Sequence, residues 1–177
     1  GEMRDQMTAE IGMRASITGH MVLSTLHTND VISTPIRLLD MGVPRYMVAL
    51  SLQMVVAQRL VRVICENCGE AHTPSPAEHE WLKYELADKV DAYSYKRGSG
   101  CSQCNGTGYT GRTGVYEVLE MTNDLVEAIN HEDTGMFVQA ARKQMAGQTL
   151  RRDAVRLVVN GRTTIDEAMR ISNQFED

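Results

Sequence analysis

The chain has 177 residues, 42% of them hydrophobic and 23% charged, with a formal net charge of -5. That length suits one medium domain or a part-domain with an appended module, and no apolar run approaches the roughly 20 residues of a membrane-spanning helix. The acidic balance argues against a protein that grips phosphate backbones, so nucleic acid is not an expected partner.

Gly1-Glu2-Met3-Arg4-Asp5 reads as the interior of a longer chain. Thr8 to Ile17 carries small and apolar residues up to Gly19, which predicts a short helix. His20-Met21-Val22-Leu23-Ser24-Thr25-Leu26 is a compact apolar run of the kind that forms a buried parallel strand. It ends in the polar cluster His27-Thr28-Asn29-Asp30, where Asn29 or Asp30 can cap a helix running to Met41 and closed by Gly42 and Pro44. A further helix is expected from Tyr46 to Val55, then a strand from Ala57 to Ile64. Next comes a Pro-rich entry at Thr73-Pro74-Ser75-Pro76, followed by a polar helix from Ala77 to Val90 with the single tryptophan, Trp81. Glycines at 106, 108, 111 and 114 mark a turn-rich return to a strand over Val115–Met121. Three helices follow: Asp124 to Asn130 capped by Asn123, Met136 to Met145, and one from Thr149 to Asn160-Gly161. Thr164 and Glu167 have the spacing of a capping box opening a last helix to Ser172. The order helix, strand, polar loop, helix indicates an α/β core, and such folds place ligands at strand ends, where the His27 loop would lie.

Four cysteines form two pairs, Cys65-x-x-Cys68 and Cys101-x-x-Cys104. A two-residue spacer turns both sulfurs of a knuckle toward one ion, and two knuckles complete a tetrahedral thiolate shell, so structural zinc on Cys65, Cys68, Cys101 and Cys104 is expected. A closed shell of this kind leaves no open position for a reacting water. The chain shows no secretory signal peptide, and paired cysteines of this spacing in a reducing cytoplasm favour metal over disulfide.

Gly1-Glu2-Met3-Arg4-Asp5 and the run from Thr18 to Asn29 resemble the Walker B end and histidine box of the type II secretion and type IV pilus assembly ATPases. The resemblance continues through Arg37–Val43, Ala57–Arg62 and the cysteine pairs into the final helices. The cysteine insertion favours the assembly or secretion branch over the retraction branch, and the sequence looks closest to pilus-assembly members, MSHA-type motors among them. The resemblance implies the C-terminal part of a RecA-like core, a homohexamer, ATP and Mg2+ as ligands, inner-membrane platform proteins as partners, and a cytoplasmic location at the bacterial inner membrane. It assigns Glu2 to the attacking water and His27 to the vicinity of the phosphates, with Arg4, His20 and Thr25 as weaker members of the nucleotide site. Arg4 and Asp5 also fit an ion pair and a helix start, and Arg59 and Arg62 fit structural salt bridges. No Gly-x-x-x-x-Gly-Lys-Ser/Thr loop occurs, so the phosphate cradle is expected outside this chain, which should not hydrolyse ATP alone.

The implied organisation is a RecA-like half-core over 1–64, a zinc module over 65–112, and a strand leading into a C-terminal helical bundle over 113–177. Two other classes fit part of the pattern. Cys101-Ser102-Gln103-Cys104-Asn105-Gly106-Thr107-Gly108 is similar to one unit of the zinc domain of J-domain co-chaperones, a protein-binding module, but further copies are lacking. A zinc-ribbon nucleic-acid binder would need a basic face that the net charge does not suggest.

Overall fold

A computed structural model describes residues 1–172; positions 173–177 of the expected C-terminal region lie outside the described residues. The chain forms two compact units, each built from two separate stretches: residues 1–57 with 117–148, and residues 58–116 with the chain from Thr149 onward.

In the first unit α1 (Gln6–Ile17) starts where the Asp5 carboxylate accepts the Thr8 N–H at 2.8 Å. It ends at Thr18, followed by Gly19 at φ +97°, a left-handed conformation that glycine adopts without strain. α2 (Ser33–Asp40) follows the polar loop, with Asp30 Oδ1 accepting the Ser33 N–H at 2.7 Å, and Gly42 at φ +92° closes it. α3 (Arg45–Ser51) is shorter than the expected helix to Val55, because the chain becomes extended at Leu52 and Met54 already belongs to β1 (Met54–Ile64).

The expected buried strand over His20–Leu26 is a correction. This segment is extended but makes a single parallel bridge, Thr25 with Glu2, and leaves Met21 90% and Leu23 84% exposed. Its other edge meets no strand among the described residues, so the apolar side chains find no second layer to bury them.

The second unit begins with the outer part of β1 and adds a hairpin-like pair not anticipated from the sequence, β2 (Gly69–His72) antiparallel to β3 (Tyr95–Gly98). Between them α4 (Pro76–Leu86) opens with a reciprocal cap between Ser75 and Glu78. α4 is shorter than the helix expected to Val90, because Ala87 turns to φ +49° and the chain continues as a 3-10 turn to Ala92. β4 (Tyr109–Glu120) then pairs with β1. It starts earlier than expected, its first residues carrying Gly111 and Gly114 into the strand.

The four remaining helices divide into two pairs. In the first unit α5 (Asn123–Asn130) starts after Thr122, with Asn123 already helical and no side-chain cap, and packs on α6 (Thr134–Met145). Leu125, Ala128, Ile129, Phe137, Ala141 and Met145 join Ala9, Met13, Leu38, Met47, Val48 and Leu119 in one apolar core. Each large side chain fully buried there contributes about 1.5–3 kcal/mol. In the second unit α7 (Leu150–Val159) packs on α8 (Ile165–Ser172).

Thr164 Oγ1 accepts the Glu167 N–H at 3.3 Å, as the capping pattern predicts, but the Glu167 carboxylate does not reach back to complete the box. It turns to β1 instead, accepting the Arg62 N–H at 2.8 Å and the Arg62 guanidinium at 3.0 and 2.8 Å, together with Arg170 at 3.1 Å. Arg62 lies over the Tyr109 ring at 4.0 Å, and the Tyr109 hydroxyl meets Thr164 Oγ1 at 2.8 Å. Arg62 is thus a structural salt-bridge partner.

Burial works to raise the Glu167 pKa, but donors from Arg170 and Arg62 and the Arg62 amide overcome it and hold the carboxyl at about 2 against the ordinary 4.5. A depressed carboxyl stabilises the fold above the unfolded-state value and loses that contribution as pH falls through the folded value. Thermal unfolding should therefore show stability lost between about pH 4.5 and 2 in the native chain. Glu167→Ala, which strands the Arg62 amide and guanidinium, should lower stability at neutral pH by about 1–3 kcal/mol and flatten that pH dependence.

Candidate functional site

Glu2 sits in the extended N-terminal segment, bridged in parallel to Thr25, and the Met3 N–H donates to the Thr25 carbonyl at 3.0 Å. This backbone pairing sets the N-terminal segment beside the histidine-bearing one. Two residues beyond Thr25, the His27 Nε2 meets Glu2 Oε1 at 2.8 Å, while Arg4 donates through Nε at 2.9 Å and NH2 at 2.8 Å to the other carboxylate oxygen. Glu2, Arg4, Thr25 and His27, separated by up to 25 positions, thus form one cluster. The hydrogen bond and charge of Arg4, with a smaller contribution from His27, hold the Glu2 carboxyl below its ordinary range. An ionised carboxylate with two cationic or polar donors is suited to orient a water, and less suited to remove its proton outright, because a lowered pKa weakens it as a base.

His20 is not part of this cluster. It is exposed near the end of α1, with its Nδ1 3.2 Å from Thr18 Oγ1. Asp5 is the cap of α1, and Thr28 bonds Thr34 through their hydroxyls at 2.8 Å. A cavity of about 410 Å³ in the same unit is lined by Met3, Met13, Leu26, Thr34, Leu38 and Val55 among others, but not by Glu2, Arg4 or His27. Thr25 does line it, while Arg4 and His27 are exposed and Glu2 is partly covered.

One residue with a clear place here was not singled out from the sequence. Glu117 on β4 is 6% exposed, and its Oε1 accepts the Val31 N–H at 3.2 Å, at the entry to α2. The signal was present: Val115, Glu117 and Leu119 all face inward with the period of two of a strand, which puts a carboxylate among core residues.

The second centre is the cysteine cluster. All four sulfurs lie within 4.8 Å of one another, with Cys65–Cys101 at 3.9 Å, Cys68–Cys104 at 3.8 Å and Cys101–Cys104 at 3.7 Å. A tetrahedron with metal–sulfur legs of about 2.3 Å has edges of about 3.8 Å, so this donor set fits a four-coordinate thiolate ion. The surrounding backbone favours it. The amides of Cys101 and Gly108 donate to Cys104 Sγ at 3.2 Å each, and the Cys65 N–H bonds the Gly108 carbonyl at 2.9 Å, tying one knuckle to the other. Gly98 at the end of β3 lies against Gly108 so closely that a Cβ on either would collide with the other's backbone. Burial pushes the Cys68 thiol up to about 12, whereas the amide donors outweigh burial at Cys104 and bring it down to about 6.

A sequence model described as Type II/IV secretion system protein matches residues 1–170. The chain is 38% identical over 174 residues to the type II secretion system protein E of Pseudomonas aeruginosa, covering 98% of this chain and 34% of that protein. To the type IV pilus assembly ATPase PilB of Myxococcus xanthus it is 37% identical over 174 residues, covering 96% and 30%. Among solved structures it is similar to the pilus retraction motor PilT with bound ADP, with a TM-score of 0.62, 25% identity, and 97% and 38% of the two chains covered. It also shares the fold of the ATPase DotB of Legionella pneumophila, with a TM-score of 0.63, 18% identity, and 98% and 37% covered. The match across almost its whole length settles the family: the chain belongs to the Type II/IV secretion system protein family. It spans about a third of the length of the curated relatives it matches.

Because the Arg4 hydrogen bond is the largest cause of the lowered Glu2 pKa, Arg4→Ala should raise it back toward its ordinary value. Titration of the carboxyl carbon of Glu2 by NMR, in native and variant chains, reads the shift. An unchanged midpoint would deny Arg4 this role.

Proposed function

We propose that this chain is the C-terminal part of a hexameric motor ATPase that powers type IV pilus assembly or type II secretion from the cytoplasmic face of a bacterial inner membrane. The observation that carries the reading is the Glu2–His27 contact at 2.8 Å, formed by residues whose surrounding sequence is that of the family. Glu2 orients the water that attacks the terminal phosphate of ATP, and Arg4 lowers the basicity of its carboxylate and holds one of its oxygens. His27 donates toward the charge that develops between water and phosphate, and Thr25 fixes the backbone on which both depend. Mg2+ supplies neutralisation of the phosphate charge when bound. The lysine and the backbone amides of a phosphate cradle are contributed by other parts of the full-length protein, since this chain holds no Gly-Lys pair. His20 stands at the margin of the nucleotide site.

Residues 1–64 act as the RecA-like half-core, 65–112 as the metal module and 113–177 as a strand followed by a C-terminal helical region. The metal is zinc held by Cys65, Cys68, Cys101 and Cys104, a closed shell whose contribution is structural. Inner-membrane platform proteins are the partners to which the hexamer delivers its movement.

In the full-length protein, Glu2→Gln should lower kcat for ATP by about 10²–10³-fold while nucleotide binding persists, and the present chain alone should not hydrolyse ATP. Steady-state hydrolysis and fluorescent-nucleotide binding measure both; a Glu2→Gln protein with native turnover would rule Glu2 out. Elemental analysis should find about one zinc per chain, and a Cys65→Ser, Cys101→Ser protein should lose the ion and unfold at lower temperature. Retention of full stability by the double variant would show that the module does not depend on the metal.

A further inference from the structure

His27 makes its contact with Glu2 from an unusual position. Its side chain is 92% exposed, so packing does not hold the ring, and its placement depends on the backbone that carries it. On the N-terminal side that backbone is fixed by the Thr25 bridge to Glu2 and Met3. On the C-terminal side the loop is tied to the first turn of α2: Thr28 Oγ1 meets Thr34 Oγ1 at 2.8 Å, Asp30 Oδ1 accepts the Ser33 N–H at 2.7 Å, and Thr34 Oγ1 donates to the Asp30 carbonyl at 3.1 Å.

These ties are local, and by themselves they fix only the shape of the turn. Besides the packing of Val31 and Ile32 in the core, a polar tie to the rest of the unit comes from Glu117. It comes from β4, 86 positions away, is buried, and accepts the N–H of fully buried Val31 at 3.2 Å. The residue at the N-cap of α2, Ile32, brings no side-chain acceptor; Asp30 takes the first helical amide, that of Ser33, while Glu117 takes the amide of Val31 just before the helix. A negative group there is also favoured by the helix dipole.

We infer that Glu117 is a positioning residue for the reaction: by holding the Val31 amide it fixes the His27 loop against the core and so sets the distance between His27 and Glu2. The role rests on the ATPase reading of Glu2 and His27. Glu117 does not touch nucleotide; it acts through the loop.

The test uses the full-length protein. Glu117→Met keeps the length and burial of the side chain but removes the acceptor, while Glu117→Gln keeps an oxygen that can accept from Val31. Glu117→Met should lower kcat for ATP about tenfold, as misplacement of a reacting group does, with KM within about twofold of native. Glu117→Gln should restore kcat to within about twofold of native, and in a His27→Ala background Glu117→Met should cause no further loss, because residues acting through one another are not additive. Native turnover in Glu117→Met, a Glu117→Gln protein as impaired as Glu117→Met, or a full additional loss on top of His27→Ala would each overturn the inference. If Glu117→Met fails to fold, Glu117→Ala takes its place, read for kcat in the native and His27→Ala backgrounds with the same expected and overturning outcomes. Absence of hydrolysis by the native full-length protein, or full activity of Glu2→Gln, would instead overturn the underlying function and the role of Glu117 with it. Activity that responds to Glu2→Gln but not to Glu117→Met removes only the positioning role.

Discussion

Backbone pairing of β1 with β4 is the constraint on which the rest depends. Both units are discontinuous, and the chain leaves the first along β1 and returns to it along β4. The first unit therefore closes only when residues from Glu117 onward come back to residues that precede Ala57, and the apolar core joining Ala9, Leu38 and Val48 to Leu119, Leu125 and Phe137 cannot form locally. Long-range closure of this kind carries a loop-entropy cost that grows slowly with length, so a long excursion between the two strands is tolerated.

Two buried carboxylates use that closure in the same way. Glu117 on β4 receives a backbone amide from the loop before α2, and Glu167 on α8 receives the Arg62 amide and guanidinium from β1. Each is within its own unit, and each joins positions 86 or 105 residues apart. Burial of a carboxylate is unfavourable unless its oxygens accept hydrogen bonds, so each also penalises arrangements in which its distant partner is missing. The Glu2 carboxylate is the contrast. It is accessible and its partners Arg4 and His27 are exposed, which leaves it able to exchange those partners for water or ligand.

The cysteine cluster solves a different problem. Residues 65–112 hold a short antiparallel strand pair, one helix and two 3-10 turns, too little apolar surface to order two knuckles firmly. Sulfurs at tetrahedral spacing, amides aimed at Cys104, and paired glycines that let Gly98 and Gly108 approach give the cluster its geometry, and an ion would convert that geometry into stability.

Local chemistry was legible in the sequence because it is local. Spacing alone brought the cysteines together, Gly19 and Gly42 ended their helices, Thr149 and Thr164 began theirs, and the short runs around Glu2 and His27 carried the family resemblance. Where a neighbour distant in sequence decides the outcome, the pattern was insufficient. The run His20–Leu26 has the composition of a buried strand, yet burial requires a second layer that composition cannot supply. Glu167 had the spacing of a capping box, yet its carboxylate goes to Arg62 because a guanidinium and an amide together offer more than one backbone N–H. Glu117 lay on the inward face of an alternating strand, but which amide it would meet depended on β4 returning to the loop before α2. The sequence determined most of the helices and the cysteine donor set through short-range stereochemistry, and the tertiary structure alone decided which distant groups share a hydrogen bond.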